Sequence, residues 1–166
     1  MTGDPLAIRD AGPADAGAIA AIYNQGIADR VATLETEERT VEERGTWLAA
    51  RTARHPVLVA VAGGQVVGWG SLNPFNPRRA YDHVADFSLY VERGWRGRGV
   101  GGALLAALVA RARQLGYHKM VLSAFPWNAG GMALYQKHGF RTVGVYTEQG
   151  LLDGRWVDTI LMEKIL

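Results

Sequence analysis

The sequence predicts an α/β fold, with a single mixed β-sheet of about six to seven strands and helices on both of its faces. Strand-like apolar runs alternate with amphipathic, helix-like segments along the chain. Two apolar runs meet at Gly63-Gly64, a dipeptide typical of a tight hairpin turn. A third apolar run, at residues 84–91, leads through a glycine-rich turn into a long helix-like segment. We interpret these two segments as the central strand and the central helix.

The N-terminal half is predicted to contribute two helices and a hairpin. Pro13 lies near the start of the first helix-like segment, as is common for helices. Thr40 and Glu43 have the spacing of a capping box, and Pro56 follows the second segment. The predicted elements are a strand at residues 6–9, helices at 13–27 and 40–54, hairpin strands at 57–62 and 65–72, and a loop at 73–79.

The C-terminal half is predicted to alternate strands with two further helices. Gly116 ends the central helix, while Asn128 begins a short helix that Gly139 ends. A turn near Asp153-Gly154 separates the last two strands. In the central strand, Ala85, Phe87, Leu89 and Val91 share one face, and Asp86, Ser88 and Tyr90 share the other. The predicted elements are strands at residues 84–91, 118–124, 141–146 and 156–162, and helices at 99–115 and 128–137.

Length and composition indicate one domain and exclude several kinds of site. A chain of 166 residues with 48% hydrophobic content suffices for one compact domain, which we expect to span residues 1–166. The sequence contains no cysteine, which excludes disulfides, thiolate catalysis and cysteine-based metal sites. Its four histidines show no metal-ligand spacing, so we expect no metal.

Charge and hydropathy favour a cytoplasmic protein with a small anionic ligand. Residues 1–5 carry an acid and a proline where a signal peptide carries basic and then apolar residues. The longest uncharged apolar run, residues 100–110, is shorter than the roughly 20 residues that cross a bilayer. The net charge is only +2, but five arginines fall within residues 93–113. This concentration favours a compact anion as ligand, with no nucleic acid and no membrane as partner.

The turn before the central helix is a candidate anion site. Its glycines allow backbone conformations and close approaches that a Cβ would prevent. The first amides of the helix have no internal partner, and the helix dipole adds positive charge there. Such a turn suits a phosphate or pyrophosphate, and guanidinium groups suit phosphate oxygens as well. The residues concerned are Arg93, Arg96, Gly97, Arg98, Gly99, Gly101 and Gly102.

The turn is open to three other interpretations. Residues 97–102 fit the G-x-G-x-x-G dinucleotide pattern, but residues 120–124 lack the acid expected about 20 positions later. A nucleotide triphosphatase loop requires a Gly-Lys-Ser/Thr sequence, which does not follow here. A purely structural turn stays open, although packing does not explain three arginines around four glycines.

Residues 96–101 match R/Q-x-x-G-x-G/A, the signature of the GNAT superfamily of N-acetyltransferases, at the place where that superfamily has it. Asn128 and the run at residues 135–140 resemble its second block, an asparagine followed by Y-x-x-x-G-F. The resemblance covers nearly the whole chain. It implies a GNAT-type fold whose turn binds the pyrophosphate of acetyl-coenzyme A and whose central strand binds the pantetheine arm. The implied cofactor-binding residues are Leu89, Tyr90, Val91, Arg96, Gly97, Arg98, Gly99, Val100, Gly101, Gly102 and Asn128.

Four shorter stretches resemble the phosphinothricin N-acetyltransferase branch of this superfamily. That branch acetylates the α-amino group of small amino-acid analogues such as phosphinothricin, methionine sulfoximine and arsinothricin. The family often builds its dimer interface on a C-terminal strand, where Trp156 and Asp158 lie, so the resemblance also implies a homodimer. The stretches are residues 22–24, 32–37, 80–82 and 154–158.

Two residues are candidates for proton transfer. Acetyl transfer to an amine needs a base for the ammonium group and an acid for the departing thiolate. Asp86, on the polar face of the central strand, is the candidate base; the branch carries glutamate there, and the shorter side chain favours a bridging water. Tyr135 is the candidate acid by the superfamily's pattern, where the branch usually carries histidine. The alternatives are a carboxylate paired with an arginine for Asp86 and a core tyrosine for Tyr135.

Acidic groups of the acceptor are expected to meet the loop that precedes the central strand. The guanidinium forks of Arg78 and Arg79 suit a carboxylate, a phosphinate or an arsenate-like group, and a solvated arginine pair is the alternative. The candidate acceptor-binding residues are Arg78, Arg79, Tyr81, Thr33, Glu35 and Trp69.

The sequence as a whole predicts an acetyl-coenzyme A-dependent N-acetyltransferase that acts on a small amino-acid-like amine. Direct transfer in a ternary complex is expected, because no cysteine can carry the acetyl group. One alternative keeps the cofactor and changes the acceptor to a protein N-terminus, a polyamine or an aminoglycoside. The other is a non-catalytic coenzyme A sensor, against which the joint presence of Asp86, Tyr135 and Asn128 argues.

Overall fold

The computed structural model describes residues 5–166; residues 1–4, which hold most of the segment behind the signal-peptide expectation, lie outside the described residues. The described chain forms strands β1 (Ala7–Asp10), β2 (Val57–Ala62), β3 (Gln65–Pro74), β4 (Val84–Val91), β5 (Lys119–Ala124), β6 (Arg141–Leu152) and β7 (Arg155–Ile165). Its α-helices are α1 (Ala16–Asp29), α2 (Val41–Ala49), α3 (Val100–Gln114) and α4 (Ala129–Lys137).

All seven described strands form one mixed sheet, in the order β1-β2-β3-β4-β5-β7-β6. Neighbouring strands run antiparallel, except that β4 and β5 are parallel. The parallel pair requires a crossover connection, which α3 supplies. The predicted fold class is therefore confirmed.

Alternate residues of the strands enter two cores on opposite faces of the sheet. Leu58 and Ala60 of β2 pack in the core that contains α3, whereas Val57 and Val59 pack with α1 and α2. This alternation follows from the two-residue period of a strand. In α3 the apolar stripe of Val100, Leu104, Leu108 and Ala112 is buried, as its helical spacing predicts.

The predicted helix caps form as expected. The Thr40 hydroxyl accepts a hydrogen bond from the Glu43 amide at 3.1 Å, and the Glu43 carboxylate accepts one from the Thr40 amide at 3.2 Å. The Asn128 side chain accepts a hydrogen bond from the Gly131 amide at 3.0 Å and begins α4. Both caps are contacts between residues close in the chain, which explains why the sequence alone predicts them.

Several predicted boundaries are wrong, among them the start of α1, the end of β7 and the three that follow. Helix α2 ends at Ala49 rather than at residue 54, because the Arg51 side chain donates to the His55 carbonyl at 2.9 Å and a turn replaces the helix. Strand β3 continues through residues assigned to a loop, since Asn73 pairs with Asp86 of β4. Strand β6 runs on to Leu152 rather than ending at residue 146, and its irregular middle has few buried side chains to mark it.

None of the helices within residues 5–166 combines the length and the apolar character needed to traverse a membrane.

Candidate active site

The site lies where two parallel strands separate. Strands β4 and β5 pair only from Val84–Lys119 to Asp86–Val121, although β4 continues to Val91 and β5 to Ala124. Beyond Asp86 the backbone of β4 is paired with β3 on one side only. The backbone groups on the other side need hydrogen-bonding partners, which an extended ligand can supply. Two adjoining cavities occupy this region.

The first cavity, here called the strand cavity, has a volume of about 240 Å³. Its walls are residues 86–90 of β4, residues 122–125 at the end of β5, and residues 31–34 after α1. Asn128 and Tyr135 of α4 and Thr159 of β7 complete it. Asp86 is the one carboxylate among these lining residues, and none of them is basic.

The second cavity, here called the turn cavity, has a volume of about 340 Å³. It lies between the glycine-rich turn before α3 and one side of α4. Both cavities share Val31, Ala32, Leu89, Asn128 and Tyr135, so they form one continuous groove. From the predicted cofactor-binding set, its lining includes Leu89, Val91, Arg96, Gly97, Gly99, Gly101, Gly102 and Asn128.

The backbone of the turn presents helix amides to this cavity. Gly97 and Gly99 have φ values of 74° and 86°, which residues with a Cβ rarely adopt. Gly99 is the N-cap residue of α3, and having no side chain it leaves the first amides of the helix uncapped. Uncapped amides and the positive end of the helix dipole fit a phosphate or pyrophosphate.

The arginines around the turn are arranged differently from the prediction. Arg93 and Arg96 both form ion pairs with Asp29 of α1, at 2.8 Å each, and the Arg93 hydrogen bond holds the pKa of that carboxyl below its usual value. Arg96 nevertheless lines the turn cavity, whereas the Arg98 guanidinium lies 3.9 Å from the centre of the Trp95 ring. Of the predicted arginines, Arg96 lines the cavity and Arg98 does not, so the role of Arg98 stays a prediction.

The side chains of two other residues in the predicted cofactor-binding set do not line the turn cavity, which leaves the prediction for their backbone groups as it was. The Val100 side chain is buried in the core beneath α3, because it belongs to the apolar stripe of that helix. Tyr90 lines the strand cavity rather than the turn cavity, and its ring stacks on Trp69 with centroids 4.8 Å apart. The face of β4 that carries Tyr90 packs toward α1, which explains this placement.

The start of α4 carries two glycines with different roles. A Cβ at Gly131 would lie 2.5 Å from the side-chain nitrogen of Asn128, so any larger residue there would displace the capping side chain. A Cβ at Gly130 would meet nothing within 4 Å inside the protein. Both glycines line the turn cavity, where the absence of side chains leaves room for a ligand.

Asp86 is a largely buried carboxyl at the point where the strands separate. Burial raises its pKa to about 6, and a hydrogen bond from the Asn73 side chain acts in the opposite direction. Among residues 5–166 it forms no ion pair, so the alternative of an arginine-paired strand carboxylate does not hold. A carboxyl with this pKa is ionised at neutral pH and still readily accepts a proton.

Tyr135 lines both cavities from α4. Its ring packs against Phe87 and Phe140 with centroids 5.9 Å and 6.3 Å away. Burial raises the pKa of its phenol to about 12, so the hydroxyl stays protonated at neutral pH. Tyr135 thus packs at the edge of the core and also lines the groove.

Only one of the predicted acceptor-binding residues lines the strand cavity, and it is Thr33. Glu35 instead pairs with Arg39 and accepts hydrogen bonds from the amides of Thr36 and Glu37. Trp69 is 1% exposed, behind Tyr90 in the core. Neither Glu35 nor Trp69 lines the strand cavity in this structure.

The loop residues Arg78, Arg79 and Tyr81 are exposed and line neither cavity. Residues 79–81 form a single 3₁₀ turn, and the Tyr81 ring packs edge-on against Phe75 at 5.5 Å. The loop stands before β4, so its side chains lie at the same end of that strand as Val84. Arg78 and Arg79 present their charge to solvent in this structure.

Sequence reasoning missed three hydroxyl side chains of the strand cavity, those of Ser88, Ser123 and Thr159. Ser123 lies near the carboxyl end of β5 beside the central strand, a position where ligands often bind and which could have indicated it. Thr159 reaches the cavity only through the pairing of β7 with β5, for which the sequence holds no signal.

The family model described as "Acetyltransferase (GNAT) family" matches residues 21–140. The chain belongs to the GNAT acetyltransferase family. The L-methionine sulfoximine/L-methionine sulfone acetyltransferase of Pseudomonas paraeruginosa is 36% identical to this acetyltransferase over 158 residues, 94% of this chain and 92% of the relative.

Two crystal structures share the fold of this acetyltransferase. One is a GNAT superfamily phosphinothricin acetyltransferase from Sinorhizobium meliloti in complex with acetyl-coenzyme A, with a TM-score of 0.91, 32% identity, and coverage of 97% of this chain and 88% of that one. The other is a ribosomal-protein-alanine N-acetyltransferase from Brucella melitensis, with a TM-score of 0.93, 38% identity, and coverage of 96% and 99%. Among residues 5–166 no group of three or more His, Asp and Glu side chains is placed to hold a metal ion.

Proposed function

We propose that this protein transfers the acetyl group of acetyl-coenzyme A to the α-amino group of a small amino-acid-like substrate. The substrate class is that of phosphinothricin and methionine sulfoximine, which name the relatives' activities. One observation carries the proposal: a groove suited to the cofactor continues into a small cavity that holds an ionised carboxyl and a protonated phenol.

The turn cavity is proposed to hold acetyl-coenzyme A, which supplies an activated acetyl thioester. The uncapped amides of α3 would bind its pyrophosphate, with Arg96 beside them. The unpaired edge of β4 at Leu89 and Val91 would bind the pantetheine arm as an added strand does. The glycines at the start of α4 leave space for that arm on the opposite wall.

Asp86 and Tyr135 are proposed to move the protons of the reaction. Asp86 attracts the substrate ammonium and takes its proton, directly or through a water, which leaves the amine free to attack the thioester. Tyr135 gives its phenolic proton to the departing thiolate. The sequence contains no cysteine that could carry the acetyl group, so the amine is proposed to attack the thioester directly in a ternary complex.

A protein N-terminus is the second candidate acceptor, because one structural neighbour is a ribosomal-protein-alanine N-acetyltransferase. The strand cavity of about 240 Å³ favours a free amino acid. Its single lining carboxylate offers little to a polyamine or aminoglycoside, which carry several positive charges.

The experiment is a thiol-release assay with acetyl-coenzyme A across a panel of amines. The panel contains methionine sulfone, methionine sulfoximine, phosphinothricin, the common amino acids, spermidine and a peptide that begins with alanine. We expect kcat/KM to be highest for one of the amino-acid analogues, with the product acetylated on the α-amino group by mass spectrometry. Selective turnover of the peptide would instead assign a protein substrate. Coenzyme A binding without any turnover would indicate a sensor.

A cytoplasmic homodimer is proposed as the form in which this single domain acts. Strand β6 is the last strand of the sheet, and its hairpin with β7 carries exposed apolar side chains. Trp156 is 64% exposed and pairs with the exposed Leu151 across the hairpin. A patch of this kind supports a protein interface. Light scattering of the Trp156→Glu variant tests it, since a dimer through this face would become a monomer.

A further inference from the structure

We propose that the Ser88 hydroxyl binds the α-carboxylate of the acceptor, and that Asn73 and Arg51 are positioning residues that direct this hydroxyl into the strand cavity. The inference rests on the proposed function, because it takes the acceptor to be an amino acid whose ammonium group meets Asp86. Ser88 lines the strand cavity and not the turn cavity, so its hydroxyl lies on the acceptor side of the groove.

The Asn73 amide is fixed in one orientation on β3. Its oxygen lies 2.9 Å from Arg51 Nη2 and 3.0 Å from the Ser71 hydroxyl. A guanidinium can only donate hydrogen bonds, so the amide oxygen, and not the NH₂ group, must face Arg51. The NH₂ group is therefore directed to the other side, where it donates to the Ser88 hydroxyl oxygen on β4 at 3.1 Å.

This contact determines what the Ser88 hydroxyl can do. An NH₂ group can only donate, so the Ser88 oxygen is the acceptor in this bond, and its own hydrogen is left for another partner. Within residues 5–166 Ser88 forms no second side-chain hydrogen bond, with Asp86 or with any other group. Because Ser88 lines the strand cavity, its O–H group is available there to a ligand.

The direction of this hydrogen-bond chain favours an anionic ligand group. The donors run from the Arg51 cation through the Asn73 amide to the Ser88 hydroxyl, and each bond makes the next group a stronger donor. Arg51 has no carboxylate partner among residues 5–166, and its other hydrogen bonds go to the carbonyls of His55 and Leu72. Its charge is therefore not neutralised by an ion pair and polarises the chain toward the cavity.

The strand cavity needs such a donor if an amino acid binds in it. None of its lining residues is basic, and Asp86 is the one carboxylate among them. Arg78 and Arg79, the predicted partners of the acceptor's acidic group, line neither cavity. A carboxylate in this cavity therefore has to be bound by neutral donors, and Ser88 is a neutral donor with a cation behind it.

Asp86 and Ser88 are placed to bind the two charged groups of one α-amino acid. They are two residues apart on β4, so their side chains share one face of the sheet and their Cα atoms are roughly 6.8 Å apart. Both line the strand cavity. An α-amino acid carries its ammonium and carboxylate groups on one carbon atom, so an ammonium group at Asp86 leaves the carboxylate within reach of Ser88.

The test combines two proteins with two acceptors. Wild type and Ser88→Ala are each assayed with methionine sulfone and with decarboxylated methionine sulfone, an amine that lacks the carboxylate and keeps the rest of the molecule. Asn73→Leu tests the positioning step, because leucine has a similar volume and offers no donor. Arg51→Met is compared with Arg54→Met as the matched control, since Arg54 belongs to the same connection and donates to the Asp82 carbonyl at 2.7 Å, without contacting Asn73.

We expect Ser88→Ala to lower kcat/KM for methionine sulfone by about tenfold to hundredfold, mainly through KM, since a hydrogen bond to a charged group is lost. For the decarboxylated amine the two proteins should have equal kcat/KM, because it has no carboxylate to bind. Asn73→Leu should lower kcat/KM for methionine sulfone by a smaller factor, and Arg51→Met by less again. Arg54→Met should leave it unchanged.

Equal losses for the two acceptors in Ser88→Ala would overturn the proposal, and so would an unchanged kcat/KM for methionine sulfone. If Ser88→Ala does not fold, the comparison of Arg51→Met with Arg54→Met decides by the same criterion.

A binding measurement separates this inference from the proposed function. The coenzyme A complexes of wild type and Ser88→Ala are titrated calorimetrically with deaminated methionine sulfone, which keeps the carboxylate and lacks the amine. Weaker binding to Ser88→Ala, in an enzyme that acetylates none of the amines, would refute the proposed function and leave the carboxylate site established. Equal binding to the two proteins, or binding to neither, would overturn the carboxylate site.

Discussion

Asp86 is the last residue of β4 that pairs with β5, and its partner there is Val121. The pairing holds the backbone of Asp86 in the sheet, while the separation of the strands beyond it opens the cavity that its side chain lines. The carboxyl is therefore both fixed and largely desolvated, which raises its pKa to about 6. A largely buried carboxyl with this pKa in the strand cavity is the feature from which the first predictions follow.

Replacement of Asp86 by asparagine should lower kcat by about 10²-fold or more, the usual contribution of a general base. The affinity for acetyl-coenzyme A should change little, because Asp86 lines the strand cavity and not the turn cavity. Steady-state kinetics and calorimetric titration with coenzyme A measure the two effects. In the wild-type enzyme the acidic limb of kcat/KM should have its midpoint near pH 6, since the folded carboxyl must be ionised to act. Near-normal turnover in the variant would exclude Asp86 as the base.

The same substitution should stabilise the fold at neutral pH. Folding raises the pKa of Asp86 from 3.8 to about 6, so the folded state favours the protonated form. The wild-type protein loses stability as pH rises through this window, by up to about 3 kcal/mol above pH 6, and loses nothing below about pH 4. Asparagine does not ionise, so the Asp86→Asn variant does not lose stability in this way. Urea unfolding at pH 8 should thus show a more stable variant, and the difference should vanish near pH 4; a variant less stable at pH 8 would contradict the burial argument.

Local patterns in the sequence predicted local structure well. Features that depend on contacts between strands distant in the chain were not predicted. Both helix caps depend on neighbours in the chain. The spacing of Thr40 and Glu43 predicted the first cap, and the residue type of Asn128 predicted the second. Asn73 was predicted in a loop, because only its pairing with Asp86 makes it part of a strand.

The arginines around the turn were predicted to face an anion, because the sequence does not show which carboxylates lie near them in the fold. The sequence shows their number, but the carboxylate of Asp29 that binds Arg93 and Arg96 comes from α1, far away in the chain. Trp69 was a candidate for the acceptor pocket and is buried in the core, and strand alternation could not have shown this, because it assigns a side chain to a face and not to a depth. Sequence reasoning thus found the motif residues and their elements, and missed side chains that enter the site through tertiary pairing.

Tyr135→Phe should lower kcat by about 10²-fold with little change in the KM for acetyl-coenzyme A, because the ring still packs on Phe87 and Phe140. The phenol, whose pKa is about 12, stays protonated throughout an assay at pH 7–10. The wild-type profile should accordingly show no basic limb from this group. Turnover equal to that of the wild type would assign Tyr135 to the core alone.

Arg96→Ala and Arg93→Ala form a matched pair, since each removes one ion pair with Asp29. Only Arg96 lines the turn cavity, so Arg96→Ala should weaken coenzyme A binding by roughly threefold to tenfold. Arg93→Ala should bind coenzyme A as the wild type does. Calorimetric titration at two salt concentrations measures this, and the loss for Arg96→Ala should be larger at low salt. Equal losses in the two variants would indicate that Asp29 and the fold of the turn, rather than Arg96 itself, determine the affinity.

Alanine at Gly130 and alanine at Gly131 should act in opposite directions on stability. The Cβ at position 130 meets no protein atom within 4 Å, so the variant should gain up to about 1 kcal/mol of helix propensity in α4. The Cβ at position 131 would lie 2.5 Å from the Asn128 side chain, so the cap must shift, at a loss of about 1 kcal/mol. Both side chains enter the turn cavity and should weaken coenzyme A binding. Thermal unfolding and coenzyme A titration separate the two effects. A Gly130→Ala variant that is more stable and binds coenzyme A less tightly would show that this glycine serves the ligand and not the helix, whereas unchanged binding would place the cofactor away from α4.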